Sequence, residues 1–394
     1  MEHTVKTSVC IVGAGPGGLL LSQLLACSGV DTVVIDRKDR AYIEGRVRAG
    51  VLEQGTVDAL EAAGVADRLH REGLPHDGFE LAFDGDRLRI DLRALTGKPV
   101  MVYGQTEITR DLFESRFADG QQFFFDVEDV TLSDLRTDRP LVCFGHRGDR
   151  VTVECDYVAG CDGFHGVSRQ AIPTDVLRTY ERVYPFGWLG ILVDQPPVSH
   201  ELIYANHASG FALASMRSET RSRCYVQCDP GDQIDDWPDT RFWDEFEKRL
   251  GPDIASGLRR GASFEKSIAP LRSFVAEPMR WGSLFLAGDA AHIVPPTGAK
   301  GLNLAVADVR LLARALAEHY SNGNDHYIDT YSETVLRRVW KVERFSWQMS
   351  NLLHQFPAHS PFEKRMQRAD FDYLCGSEAA QQSLAENYVG LPLE

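Results

Sequence analysis

Residues 13–18 read Gly-Ala-Gly-Pro-Gly-Gly and fit the pattern G-x-G-x-x-G. An apolar run precedes them, a stretch of helical character follows, and a second β-branched run ends at Asp36. In that context Gly13 permits a tight turn, Gly15 lets the backbone approach a pyrophosphate, and Gly18 lets the helix pack on the strand. Asp36 is placed to accept hydrogen bonds from ribose hydroxyls. The pattern predicts a dinucleotide-binding β-α-β unit; the alternative is a glycine turn in an unrelated α/β domain.

Two later segments place an aspartate directly after a strand-like run. Asp162 lies in the Gly-Cys-Asp-Gly segment that follows residues 157–159, and Asp289 follows residues 284–287. An aspartate at the exit of a buried strand, beside small residues, can accept hydrogen bonds from a polyol. FAD has a ribityl chain that needs such acceptors and NAD does not, so the three segments together favour FAD. Each aspartate alone also fits a turn or a helix cap.

The composition bounds the class of protein. The 394 residues include 42 basic and 57 acidic side chains, a formal net charge of −15. This charge disfavours binding to nucleic acid or anionic membranes, so an anionic ligand needs a locally basic site. Residues 1–6 are polar, and no apolar stretch is long enough for a membrane span. The eight cysteines form no C-x-x-C pair, and we expect reduced thiols in a cytoplasmic protein without a metal site.

The order of elements predicts an α/β fold in three parts. We expect a Rossmann-like FAD-binding domain over residues 1–180 and an inserted antiparallel β-sheet substrate domain over residues 181–269. Residues 270–394 should form an FAD-contacting segment and a helical C-terminal part. Within that part, apolar residues at helical spacing predict a long amphipathic helix that begins at Gly301.

The inserted sheet brings together polar side chains. Alternation along a strand puts Ser215 and Arg217 on one face, and Arg223 and Tyr225 share a face on the returning strand. An arginine flanked by hydroxyl groups suits a carboxylate, because guanidinium offers a two-pronged hydrogen bond. On pattern alone, a solvated sheet face with ordinary polar residues fits equally well.

The glycine segments, together with residues 45–55, 103–107, 285–303 and 386–392, resemble the single-component FAD-dependent aromatic hydroxylases. The resemblance covers essentially the whole chain. It implies a homodimer that binds FAD and converts 4-hydroxybenzoate to 3,4-dihydroxybenzoate with NADPH and O2 through a flavin hydroperoxide. The alternatives are a hydroxylase of another hydroxylated aromatic acid, an FAD oxidase or dehydrogenase without hydroxylation, and a non-catalytic FAD-fold binding protein.

The resemblance also implies roles for individual residues. Ser215, Arg217 and Tyr225 match the carboxylate clamp, and the Pro296 carbonyl matches a contact to the phenol. Residues that match FAD contacts are Arg46, Arg48, Gln105, Asp162, Arg223, Asp289, Lys300, Gly301, Leu302 and Asn303, of which Asp289 binds the ribityl chain. Asn303 and the start of the Gly301 helix face the isoalloxazine ring, where a helix N-terminus stabilises the anionic reduced flavin.

A proton relay is implied at the phenol end of the substrate. Attack on the ring is electrophilic, so the substrate phenol reacts faster once it has lost its proton to a base or relay. By resemblance Tyr204 is the partner of the phenol, Tyr388 is the next member, and His76 is the solvent-facing end. Taken alone, Tyr204 also fits core packing.

The reductant lacks a Rossmann unit of its own, because the chain contains no second G-x-G-x-x-G segment. This indicates transient binding in a groove. Arg37 and Lys38, on a helix predicted over residues 37–42, favour the 2′-phosphate of NADPH, whereas Arg40 fits a solvated surface charge. The residues implied in NADPH binding are Arg37, Lys38, Tyr42, Arg46, His165, Arg169 and Arg272.

Overall fold

The structure is a computed structural model that describes residues 2–46 and 50–393. Its strands are β1 (Glu2–Lys6), β2 (Val9–Val12), β3 (Thr32–Ile35), β4 (Val51–Leu52), β5 (Leu74–His76), β6 (Gly78–Phe83), β7 (Asp86–Asp91), β8 (Val100–Val102), β9 (Gln122–Phe124), β10 (Glu128–Ser133), β11 (Leu141–His146), β12 (Asp149–Glu154), β13 (Tyr157–Gly160), β14 (Arg178–Val193), β15 (Leu202–His207), β16 (Gly210–Ser218), β17 (Arg221–Cys228), β18 (Ser263–Glu277), β19 (Arg280–Trp281), β20 (Leu284–Leu286) and β21 (His292–Ile293). Its helices are α1 (Pro16–Cys27), α2 (Arg40–Gly45), α3 (Gln54–Ala62), α4 (Asp67–Glu72), α5 (Leu92–Thr96), α6 (Gln105–Ala118), α7 (Asp239–Leu250), α8 (Pro252–Ala255), α9 (Gly301–Asn322), α10 (His326–Asp329), α11 (Tyr331–Leu353), α12 (Pro361–Gly376) and α13 (Glu378–Val389).

A six-stranded sheet with the order β19-β20-β13-β2-β3-β9 forms the centre of the first domain. Its strands are parallel except at the β19 edge. The central strands are short apolar runs buried on both faces, which is the usual pattern of a parallel sheet covered by helices. The predicted β-α-β unit is confirmed by β2, α1 and β3, which follow one another around the glycine segment.

The second large sheet has eight strands in the order β21-β18-β14-β17-β16-β15-β6-β7. Most neighbouring pairs are antiparallel as predicted, but β6 and β15 are parallel. Residues 78–91, which the sequence assigned to the first domain, supply β6 and β7 and therefore belong to this sheet. The long strands β14 and β18 also cross both expected boundaries of the inserted domain. Pairing between distant segments decides sheet membership, and local pattern carries no signal of it.

The chain ends in helices, as predicted. α11, α12 and α13 follow α9, and α13 brings Tyr388 against Phe79 of β6 in a stacked contact with 4.1 Å between the ring centroids. The core between the eight-stranded sheet and these helices is rich in aromatic side chains. None of the described helices has both the length and the apolar character needed to cross a membrane.

Candidate active site

Three glycine-containing loops meet at one edge of the parallel sheet. Gly160 is paired with both Val12 and Leu286, so the loops that leave β2, β13 and β20 lie side by side. Gly13 has a φ of +110°, and a Cβ at this position would collide with the Cys161 carbonyl. The sequence prediction that these segments act together is consistent with this geometry.

The start of α1 leaves space for an anion. A Cβ built on Gly15 would meet nothing within 4 Å, whereas one on Gly18 would collide with the Gly13 carbonyl. No side chain caps the first turn of α1, which begins at Pro16. Backbone N–H groups and the helix dipole favour negative charge at such an end. The residues present therefore fit the pyrophosphate of FAD.

Asp36 follows β3 and is hydrogen-bonded to the glycine loop. Its Oδ2 accepts from the Ala14 N–H at 2.7 Å, and its Oδ1 accepts from the Lys38 N–H at 2.8 Å. Burial raises the pKa of the Asp36 carboxyl, and the two backbone donors act against that rise. Each carboxylate oxygen keeps a further lone pair. Asp36 can therefore fix the loop and still accept from a ribose.

The two later aspartates differ in the direction of their side chains. Asp289 is exposed in the short turn after β20, so its carboxylate is open to a polyol. Asp162 Oδ2 accepts from both the backbone N–H and the hydroxyl of Ser168, each at 2.9 Å. The Asp162 side chain thus caps its own loop through Oδ2, whereas its Oδ1 is buried without a partner among the described residues; its predicted contact with FAD stays a prediction.

Asn303 holds the amino end of α9. Its amide group donates to two backbone carbonyls at 2.8 and 2.9 Å, and its Oδ1 accepts from the Thr56 hydroxyl at 2.7 Å and from a backbone N–H at 2.9 Å. The polar atoms of this side chain are therefore bonded within the protein, and the predicted position of Asn303 facing the isoalloxazine ring stays a prediction. The N–H groups of Gly301 and Leu302 remain as donors at the helix end.

Lys300 is a buried cation beside the same helix end. Its Nζ donates to Glu53 Oε1 at 2.6 Å and to the backbone carbonyl of Tyr388 at 2.9 Å. Burial lowers the pKa of Lys300, and the Glu53 carboxylate acts against this effect. The bond to Tyr388 joins the start of α9 to the end of α13, and the bond to Glu53 joins it to the residue before α3.

Gln105 begins α6 directly after a contact between two chain segments. The Tyr103 N–H donates to the Gly50 carbonyl at 2.8 Å, so the residues before Gln105 lie against Gly50. The predicted flavin contact Arg48 lies outside the described residues.

Replacing Gly13 by alanine is expected to abolish most FAD binding. The new Cβ meets the Cys161 carbonyl, and a positive φ costs a non-glycine residue about 1–2 kcal/mol. Gly29→Ala is the matched control, because Gly29 has a φ of +72° but open space around its Cβ. The ratio of flavin to protein absorbance measures the effect, and chromatography of the released flavin identifies it as FAD or FMN. Wild-type FAD content in Gly13→Ala would contradict this account of the loop.

One face of the eight-stranded sheet carries the predicted substrate residues. Tyr204, Leu213 and Tyr225 are directly opposite one another on β15, β16 and β17, so they form a row about 10 Å long across the sheet. Ser215 lies two residues after Leu213 and shares that face. Arg217 follows at an irregularity in the β16–β17 register, a feature that commonly redirects a side chain.

The guanidinium of Arg217 is buried beside Tyr225, Arg223 and Glu265. Its Nε and Nη1 have no hydrogen-bond partner among the described residues. Burial lowers the pKa of Arg217, and the Tyr225 side chain acts against this change. Because arginine remains charged in proteins, such a group requires an anion, and a carboxylate can accept two parallel N–H bonds from it. The site therefore fits the carboxylate of an aromatic acid.

Arg223, predicted to touch the flavin, is ion-paired with Glu265 at 2.6 Å. Its guanidinium also lies 5.3 Å from the centroid of the Tyr225 ring. Its Nε is buried and has no partner in the part of the chain that the structure describes. That atom remains available to a ligand.

The hydroxyl groups of Tyr204 and Tyr388 are 2.8 Å apart and buried. Burial raises the pKa of both phenols. Both are therefore neutral at neutral pH, and Tyr204 can take a proton only while it passes its own to Tyr388. The first two members of the predicted relay are in direct hydrogen-bond contact.

His76 occupies a different environment from the one predicted. It is 1% exposed, and neither ring nitrogen has a partner among residues 2–46 and 50–393. Burial lowers the pKa of His76 to about 4, although Glu201 and Asp77 act in the opposite direction. The prediction of a solvent-facing His76 is wrong, because the end of β5 is covered by neighbouring segments.

Pro296 begins a short 3-10 turn before α9. Its carbonyl accepts the Ala299 N–H at 2.9 Å. A carbonyl oxygen has a second lone pair, so the Pro296 carbonyl can also accept from a phenol, as predicted.

Gly190 and His354 belong to the site but were absent from the sequence analysis. A Cβ on Gly190 would lie 2.7 Å from the Tyr225 ring, so the absence of a side chain at position 190 leaves room for this ring. His354 Nε2 accepts from the Trp188 indole at 2.7 Å, and Trp188 packs 5.1 Å from Tyr225 between ring centroids. Burial lowers the pKa of His354 to about 3, which keeps the ring neutral as an acceptor. Gly190 reaches the pocket through the register of β14 against β17, and His354 reaches it through its bond to Trp188; neither connection is visible in the sequence.

The first group of residues predicted to bind NADPH surrounds Tyr42. Arg37 and Lys38 precede α2 and are not part of it, because Asp39 caps that helix by accepting from the Tyr42 N–H at 2.7 Å. Lys38 Nζ and the Arg46 guanidinium lie 5.1 and 5.8 Å from the Tyr42 ring centroid. These three cations are exposed and suit a phosphate.

The second group surrounds Phe164. His165 is exposed, and the Arg272 guanidinium lies 4.7 Å from the Phe164 ring centroid. Arg169 donates to the carbonyls of Phe164 and Ala290 at 2.6 and 2.7 Å. Arg169 therefore ties two cofactor-edge loops together, and its guanidinium is less free for a phosphate than the sequence suggested.

Comparison with known proteins adds three findings. Residues 6–346 match the family model described as an FAD binding domain. The chain is 54% identical over 393 residues to p-hydroxybenzoate hydroxylase of Acinetobacter baylyi, an alignment that covers 100% of this chain and 97% of that protein. It is 26% identical over 355 residues to a 3-(3-hydroxy-phenyl)propionate/3-hydroxycinnamic acid hydroxylase of Mycolicibacterium gilvum, covering 84% of this chain and 57% of the relative.

Among solved structures, the fold is similar to p-nitrophenol 4-monooxygenase from Pseudomonas putida, with a TM-score of 0.83 and 19% identity. That match covers 99% of this chain and 100% of the other. A probable FAD-dependent monooxygenase from Pseudomonas aeruginosa gives a TM-score of 0.78 at 20% identity, with coverages of 93% and 100%. At these identities the likeness establishes the fold, which is the predicted α/β arrangement with a helical C-terminal part.

Proposed function

The chain belongs to the p-hydroxybenzoate hydroxylase family of FAD-binding aromatic-ring monooxygenases, and on that premise we propose that it hydroxylates 4-hydroxybenzoate to 3,4-dihydroxybenzoate with NADPH and O2. One observation carries the choice of substrate. The Arg217 guanidinium, with two buried donor atoms that have no partner among the described residues, belongs to β16, and the Tyr204 hydroxyl that pairs with Tyr388 belongs to the adjacent strand β15. A ring with a carboxylate and a para hydroxyl has both matching groups.

The protein's residues bind, orient and ionise the substrate. Arg217 takes the carboxylate, with Ser215 and Tyr225 beside it, and thereby directs the phenol toward Tyr204. As the phenol loses its proton, Tyr204 accepts it and donates its own proton to Tyr388. The negative charge that results makes the ring more reactive toward electrophilic oxygen. FAD, which would be held by the Gly13–Gly18 loop, Asp36 and Asp289, would supply the redox chemistry between NADPH and O2.

The test is aerobic NADPH oxidation by the FAD-loaded protein with a panel of hydroxybenzoates, with hydroxylated product and hydrogen peroxide both quantified. The proposal expects 4-hydroxybenzoate to give the highest ratio of product to NADPH. A different aromatic acid with the highest ratio would make the chain a hydroxylase of that acid. Oxidation of a substrate without oxygen insertion would make it an oxidase or dehydrogenase.

NADPH is proposed as the reductant because of the exposed cations around Tyr42. Replacing Arg37 and Lys38 by glutamine should raise the KM for NADPH about three- to tenfold, and that for NADH less, since an exposed ion pair contributes up to about 1 kcal/mol. Arg40→Gln is the matched control, because Arg40 is paired with Glu44 at 2.5 Å. Steady-state kinetics with NADPH and with NADH measure this preference. Equal use of the two reductants by the wild type would refute the proposal that NADPH is the reductant.

A homodimer in the cytoplasm completes the proposal. Support for the dimer comes from exposed apolar side chains on the terminal helices: Trp340, Trp347, Phe362, Met366 and Tyr373. Sedimentation velocity measures this state directly. All eight cysteines are free thiols, as expected in a reducing compartment.

A further inference from the structure

The buried His76 needs an exit for any proton that reaches it. Its ring nitrogens have no partner among the described residues, and 1% exposure keeps it from solvent. The low pKa of His76 means that a proton there is held weakly and must pass on. A relay that ended at this residue would therefore stall.

A second imidazole lies beside it. The His200 ring centroid is 6.3 Å from that of His76, with an edge-on angle of 67° between the planes. This separation is too long for a direct hydrogen bond and short enough for one bridging water. His200 is exposed to solvent.

The backbone fixes this juxtaposition. β6 and β15 are adjacent parallel strands in which Phe79 is opposite Leu202. His76 and His200 lie just before these paired positions, at the same end of the two strands. The proximity of the two backbone positions therefore follows from the sheet register.

The other charged groups that face His76 are already paired. Glu201 accepts two hydrogen bonds from Arg89, at 2.7 and 2.8 Å. Asp77 accepts from Arg93 at 2.6 Å. Among the described neighbours of His76, His200 is thus the titratable group without a salt-bridge partner.

We propose that His200 is the group through which the proton of the bound phenol leaves the protein. The phenol O–H bond breaks, each relay member accepts one proton and releases one, and His200 delivers a proton to solvent or buffer. No electron is transferred in these steps. The inference rests on the proposed function, because it takes His76 as the relay member after Tyr388.

The test uses the FAD-loaded protein mixed rapidly with 4-hydroxybenzoate, without reductant. Absorbance of the phenolate and of a pH-indicator dye report ionisation and proton release in weak buffer. His200→Gln should slow both signals about tenfold, a modest share of what a proton-transfer group contributes. Added imidazole should restore the rate, and affinity for the acid should stay within about threefold. A purely structural role would not produce such rescue.

Three comparisons make the test decisive. His326→Gln, an exposed histidine on α10, should behave as the wild type. His76→Gln should be slow and should not respond to imidazole, because the site is buried. Wild-type rates in His200→Gln at low buffer would overturn the role of His200 and leave the proposed function standing. If binding to the wild type produced no phenolate, the proton relay would fall, and this inference with it, whereas the hydroxylation itself is tested separately by the panel of hydroxybenzoates.

Discussion

Arg217→Ala is expected to weaken binding of 4-hydroxybenzoate by about 2–5 kcal/mol, the usual loss when one partner of a buried charge pair is removed. In the protein alone this guanidinium has two donors without partners. The ligand carboxylate supplies the missing acceptors, and without the Arg217 guanidinium it would be buried without this partner. Titration of the flavin absorbance with the acid measures the affinity, while FAD content should not change.

Arg221→Ala is the matched control for Arg217. Arg221 lies on the same hairpin but is exposed and paired with Asp194 at 2.7 Å. Its removal should leave the affinity nearly unchanged, since exposed pairs contribute up to about 1 kcal/mol. An affinity of Arg217→Ala within about threefold of the wild type would mean that another group holds the carboxylate.

Tyr204→Phe is expected to separate NADPH consumption from hydroxylation. The change removes one hydroxyl and keeps the ring, so the carboxylate site and the pocket volume are preserved. The bound phenol then lacks its proton acceptor and stays neutral, which makes the ring less reactive. Each 1.36 kcal/mol added to the barrier for oxygen transfer slows that step about tenfold. NADPH oxidation should continue, with hydrogen peroxide as the main product.

Two further variants, a second relay variant and a control, test the interpretation of Tyr204→Phe. Tyr388→Phe should shift the products in the same direction, because Tyr388 is the direct partner of Tyr204 at 2.8 Å. Tyr184→Phe removes another buried tyrosine hydroxyl from the same aromatic core and should leave the yield of product per NADPH unchanged. If Tyr204→Phe hydroxylated with wild-type yield, the relay would be wrong.

The cofactor edge was predictable because its signal is local. A glycine at position 13 is required by a positive φ and a close backbone contact, and Gly18 by helix packing, so both leave a mark in the sequence. The alternation around Ser215 and Arg217 likewise predicted strands β16 and β17. These features depend on residues that are neighbours in the chain.

The remaining features depend on contacts between distant residues. β6 joins the substrate sheet through parallel pairing with β15, more than a hundred positions away. The Asn303 side chain is hydrogen-bonded to residues 51–56, and Asp162 Oδ2 to Ser168, and residue type alone gives no sign of these bonds within the protein. His76 is buried because other segments of the chain cover the end of β5. The sequence pattern around His76 does not predict this burial.

Ionisation of the bound phenol is the most direct test of the central claim, that Arg217 orients the acid so that the Tyr204–Tyr388 pair removes its proton. The measurement is the ultraviolet difference spectrum of 4-hydroxybenzoate on the FAD-loaded protein as a function of pH, for wild type and Tyr204→Phe. The account predicts that the phenolate band appears at a lower pH on the wild type than in free solution, and that Tyr204→Phe abolishes this shift. A wild type that hydroxylates the acid while its bound phenol titrates as it does in solution would contradict the account.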